Sequence, residues 1–210
     1  MSRATRTFAG PLVDPTDMSV GQPNDDRPYV AGALAGVLAW VLGYVLTYFL
    51  TATELDDSAL NAFIEFAEGE SATYELVGWV FYNAHFVNVR YVNVAPFSPP
   101  RNFLGGEDGF TVLLYVLPPL LLFGAGLAVC RYRGVADATE GAVTGALVLP
   151  GYLVLSVAGA LLFEVTVENA SGAPALLPAI VLAGLLYPVV FGAAGGTVAA
   201  ATTDEQSVLS

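Results

Sequence analysis

The 210-residue chain has no lysine, one cysteine, one histidine and two methionines, and each shortage removes a class of function. All seven basic residues are arginine, set against nineteen carboxylates, for a formal net charge of -12. With carboxylates outnumbering arginines so heavily, a polyanion such as nucleic acid would meet net repulsion and is not expected as a partner. Cys130 alone cannot form an intrachain disulfide, and with His85 as the only imidazole no zinc centre follows. No metal and no cofactor is implied. Charge of either sign is scarce too: 12% of residues are charged and 55% apolar, where soluble domains carry about 25% charge. The charges are absent from long runs and gather between them, as in a multi-span membrane protein.

An acid excess without lysine reads as halophilic, since surface carboxylates keep a protein hydrated in concentrated salt. A codon bias toward Arg, Ala, Gly and Val is the plainer alternative. Residues 1–28 are polar and punctuated by Pro11, Pro15, Pro23 and Pro28, so a disordered cytoplasmic tail without a signal-peptide core is expected.

Four hydrophobic spans are expected, at 29–51, 110–130, 139–163 and 175–201, and 202–210 forms a second cytoplasmic tail. The first run carries no charge and gives about 34 Å of helix, enough for a hydrocarbon core of ~30 Å. Small residues four apart, Gly32 and Gly36, Gly141 and Gly145, Gly192 and Gly196, mark faces where helices approach closely. Pro118, Pro119, Pro150 and Pro188 fall inside spans, where a missing N–H and a ring clash should kink the helix.

The insertion at 53–109 holds nine carboxylates and two arginines, net -7. Leu55, Leu60, Phe63, Ile64 and Ala67 recur at helical spacing up to Gly69. A second helix starts near Ser71 and carries Trp79 and Tyr82, aromatics of the kind that settle at headgroup depth. VNVRYVNV after Phe86 alternates like a strand, and residues 95–109 read as a loop. Tyr74 to Val94 is not a fifth span: Arg90 alone would cost about 2.5–3.5 kcal/mol at a helix centre. Four spans with both termini inside leave Arg3, Arg6, Arg27, Arg131 and Arg133 inside and only Arg90 and Arg101 outside, as the positive-inside rule prefers. The fold class is therefore an all-α membrane protein in the cell membrane, with an acidic extracellular helix and strand insertion between helices 1 and 2.

Two echoes suggest a duplicated hairpin. AGALAGVLAWVLGY in the first span resembles EGAVTGALVLPGY in the third, and LYVLPPLLLFGAG in the second resembles LYPVVFGAAG in the fourth. The outer turn at 164–174 contains the sequon Asn169-Ala170-Ser171, too close to the membrane for ready glycosylation.

Candidate chemistry is thin. No span holds a central charge for ion coupling, no phosphate loop is present, and no activated nucleophile accompanies His85. Asn83, His85, Asn88, Arg90 and Asn93 form an external polar file in an aromatic surround. They read either as a recognition surface or as architectural hydrogen-bonding groups. The run WVFYNAHFVNV, the four-span plan and the lysine-free acidic composition together resemble an uncharacterised family of haloarchaeal integral membrane proteins, over residues 29–201. That resemblance implies no activity. The expectation is a non-enzymatic membrane component that touches the lipid bilayer and whose cap meets an envelope or membrane protein, or a second copy of itself. A small channel or transporter-like subunit is the alternative, and an enzyme built on His85 comes third.

Overall fold

The computed structural model describes residues 27–94, 99–105 and 109–208; the expectations for the first 26 residues and for parts of the 95–109 loop lie outside them. Four helical runs are long and apolar enough to cross a membrane: Tyr29–Asp56, Val112–Arg133, Ala138–Leu162 and Leu176–Thr203. These are the first to fourth spans below. The first span belongs to α1 (Arg27–Asp56), which continues past its uncharged run through Glu54 and Asp56.

Between the first two spans lie α2 (Ala59–Glu68), α3 (Thr73–Asn83) and β1 (Val89–Val92). α2 starts because Ser58 Oγ accepts the Asn61 N–H at 3.1 Å, and it stops at Gly69, whose φ of 81° suits glycine. The joint between α1, α2 and α3 is a polar knot. Buried Asn61 donates to the Asp56 carbonyl and to Ser71 Oγ and accepts from the Ala72 N–H, while Thr73 Oγ1 donates to the Asp56 carboxylate at 2.7 Å. An asparagine so deeply buried is tolerated because each of its polar atoms is paired.

The second span is a 3-10 stretch, Val112–Val116, followed by α4 (Leu117–Arg133). The third comprises α5 (Ala138–Gly145), a 3-10 turn at Ala146–Val148 and α6 (Leu149–Leu162). After β2 (Val165–Val167) and β3 (Ala170–Pro174), the fourth runs through α7 (Leu176–Pro178), a π stretch at Ala179–Leu186 and α8 (Tyr187–Val208). Pro118, Pro119, Pro150 and Pro188 thus sit in the first turns of the α segments that follow a 3-10 or π stretch. Each proline lacks the N–H that α geometry would use, so the hydrogen-bond pattern changes just before it.

The glycines named above mark where backbones touch. A Cβ on Gly32 or Gly36 would overlap Leu147 or Val148 of the third span; one on Gly145 would overlap the Gly192 carbonyl, and one on Gly196 the Gly141 carbonyl. Gly141 and Gly192 complete the crossing, since a Cβ on Gly141 would lie 2.7 Å from Ala200 Cβ and one on Gly192 2.7 Å from the Gly145 carbonyl oxygen. Small residues at these points let van der Waals contact hold helices that lipid does not push together. Corresponding glycines of the two echoing hairpins nonetheless meet different neighbours: Gly32 and Gly36 face the third span, whereas Gly141 and Gly145 face the fourth.

An all-α description misses a small sheet, and 164–174 is not a plain turn. β2 and β3 form a hairpin, and β1 pairs antiparallel with β3, giving the order β1-β3-β2. The hairpin strands are too short to declare themselves, because their partner arrives from some eighty residues earlier in the chain. This pairing fixes the 53–109 insertion and the connection between spans three and four at one end of the bundle, forming the cap.

Candidate functional site

Gly78 to His85 is buried at every position, and its surroundings are the spans themselves. The tip of α3 enters the bundle, so the aromatic run does not lie on a surface at headgroup depth. Phe81 lies against Gly43 of the first span and near Trp40 and Tyr44. The Tyr82 hydroxyl donates to the Ser156 carbonyl of the third span. His85 meets Tyr152 of the third span and Tyr187 of the fourth. Along the third span, Ser156 is about 9 Å and Tyr152 about 15 Å of helix from the cap-side end at Leu162. Trp40, Phe81, Tyr82, Leu122, Val148, Tyr152 and Tyr187 form one buried cluster around this tip.

The chain turns back at Ala84–Phe86. Phe86 has φ of 60°, and its ring stacks on Tyr115 at 4.6 Å. Asn83 holds the re-entrant loop together: its Nδ2 donates to the Val87 carbonyl at 2.8 Å and its Oδ1 accepts from the Phe103 N–H at 2.7 Å. Gly78 lets Phe163 pack against α3, since a Cβ there would overlap the ring, and Trp79 Nε1 donates to the Phe163 carbonyl at 2.7 Å.

The tautomer of His85 follows from its partners. Nδ1 lies 2.8 Å from the Phe81 carbonyl, which can only accept, so Nδ1 carries the proton. Nε2 is then an acceptor and takes the Tyr152 hydroxyl proton at 2.6 Å. Both ring nitrogens of this fully buried, neutral imidazole are thus engaged. A neutral His85 linking α3 to the third span is the outcome.

The structure divides the five residues of the expected polar file. Asn83 and His85 are fully buried, whereas Asn88, Arg90 and Asn93 are exposed in the cap. Asn88 contributes its backbone carbonyl to the Ala175 N–H, Arg90 lies on β1 opposite Ala173, and Asn93 Nδ2 donates to the Asn169 carbonyl at 2.8 Å. They do not form one cluster because the turn at 84–86 separates a helix inside the bundle from a strand above it. Among the described residues, no three His, Cys, Asp or Glu side chains converge as a metal site.

A second feature lies in the cap. An open groove of about 640 Å³ runs between α2 and one face of the sheet. Tyr91, Gly172 and Val165 stand in register across its three strands, with Val167 and Ala170 beside them. Leu60, Phe63, Phe66 and Ala67 of α2 form the facing wall. Phe66 is 89% exposed there. Sequence reasoning identified α2's apolar stripe but not this groove, since the sheet face opposite it belongs mostly to the unrecognised hairpin.

A Family of unknown function (DUF7978) has a model that matches residues 14–203. The chain belongs to this family. The DUF7978 match takes in all four spans, the re-entrant tip of α3 and the cap groove, so both features fall within the family region. Neither the curated proteins nor the solved structures compared with the chain give a match.

Proposed function

We propose that this protein is a non-enzymatic component of the cell membrane that binds through its cap, with the cap outside and both termini in the cytoplasm. The observation that carries this reading is the open apolar groove beside α2, a concave surface with exposed aromatics of the type that binding sites use. The bundle interior argues in the same direction. A channel would need a polar path, whereas the tip of α3 fills the space between the spans with Phe81, Tyr82 and His85. An enzyme on His85 would need access and a carboxylate partner; this ring is fully buried and bonded to a carbonyl and a tyrosine hydroxyl. The orientation rests on Arg131 and Arg133, which close α4 at the end remote from the cap. The acidic composition fits a saline exterior.

Two measurements test the reading. A thiol introduced at Ser58 should react with an impermeant reagent from outside while one at Ala136 stays protected, and the reverse would defeat the orientation. A photo-reactive side chain at Phe66 should give a discrete adduct in native membranes that the same group at lipid-facing Leu161 does not give. Equal, diffuse labelling at both positions would remove the case for a binding cap.

A further inference from the structure

The groove has a polarity that specifies its occupant more closely. Along most of its length the walls are hydrocarbon and aromatic: Leu60 and Phe63 from α2, Val165 and Val167 from β2. At one end the hairpin turn brings in carboxylate. Glu168 lines the groove there, with φ of 52°, and its N–H donates to Glu68 Oε1 of α2 at 3.3 Å. Glu68 does not itself line the groove, but this bond holds its carboxylate beside Glu168 at that end. Among the described residues, none that lines it is basic.

Aromatic rings are part of the same lining. Phe63, Phe66 and Tyr91 border the groove, and Trp79 lies beneath Gly172, where a Cβ would come within 2.7 Å of the indole. Aromatic faces attract cations, and ammonium groups in particular. An anionic headgroup or fatty acid would meet Glu68 and Glu168 with like charge. A volume of about 640 Å³ is that of a small-ligand site rather than a flat protein interface.

Resting on the reading of the cap as a binding module, we propose that the groove takes a small apolar cation, with an alkyl or comparable apolar tail along α2 and β2 and an ammonium-type head at Glu68 and Glu168. Charge complementarity selects this class over neutral and anionic amphiphiles of equal length, and the aromatic border favours a soft, weakly hydrated cation over a compact one.

The test uses the full chain in nanodiscs of neutral lipid, with a trifluoromethyl-phenylalanine at position 66 as a fluorine NMR reporter. Octyltrimethylammonium, octanol and octyl sulfate differ only at the head. The cation should shift the signal saturably at a concentration at least about tenfold below that needed for octanol, and octyl sulfate should give no saturable shift. The double variant Glu68→Gln, Glu168→Gln should bring cation and alcohol to equal concentrations. If native protein already binds alcohol and cation alike, the cation preference is overturned and the binding cap stands. If none of the three probes saturates, and filling the groove by Ala170→Trp leaves the signal unchanged on addition of each, both the occupant and the binding cap are overturned.

Discussion

Gly126→Ala should lower the unfolding free energy by about 2 kcal/mol, in the range typical of over-packing a tight contact, whereas Gly124→Ala should leave it unchanged or raise it by up to about 1 kcal/mol. The two glycines lie two residues apart on α4, and any helix-propensity gain is common to both. They differ in what a methyl group would meet. At Gly126 it would overlap the backbone carbonyl of Gly192 in the fourth span, which cannot move aside alone because Gly192 also abuts Gly145 of the third. At Gly124 nothing lies within 4 Å. Reversible unfolding in mixed micelles, followed by helical circular dichroism, measures both. Equal effects of the two substitutions would mean that the second and fourth spans do not meet at Gly126.

The second large effect concerns His85. Removing its ring by His85→Ala leaves a cavity beside Phe81 and Tyr187 and an unpartnered Tyr152 hydroxyl. Together these should cost about 3–5 kcal/mol. Tyr152→Phe alone leaves His85 Nε2 without its donor and should cost about 1–3 kcal/mol. Since both substitutions break one hydrogen bond, the double variant should lose less than the two single losses combined, by on the order of 1 kcal/mol. Strict additivity would show that the pair does not act as a unit. Tyr187 touches the same ring at 5.0 Å and reaches the Ala84 carbonyl, so Tyr187→Phe offers a milder comparison.

The spans were legible because an uncharged run of that length has few other uses, and the first strand because VNVRYVNV alternates. The depth of α3 was not read, although its signal was present. From Leu76 to Tyr82 the helix has no polar face, and a helix apolar all round is a buried one. The presence of Trp79 and Tyr82 suggested headgroups instead, but their polar atoms are satisfied by Phe163 and Ser156 carbonyls that no local pattern announces. The β2–β3 hairpin was missed for a related reason. VTVENASGAP carries a sequon and a proline, which read as a turn, and only pairing with distant β1 makes strands of its flanks. Gly36 and Gly145 could be singled out by spacing, whereas Gly78 and Gly159 could not: each faces an aromatic ring rather than another small-residue stripe.

The re-entrant tip of α3 has a consequence for how the chain is made. It emerges during synthesis between the first and second spans, yet Ser156, Tyr152 and Tyr187, which satisfy its polar atoms, belong to the third and fourth. Those partners are absent until the third and fourth spans have been made, so the tip of α3 is expected to reach its final place late, when the second half of the chain encloses it. A nascent chain cut off after Arg133 would expose that unfinished surface and present itself to membrane quality control.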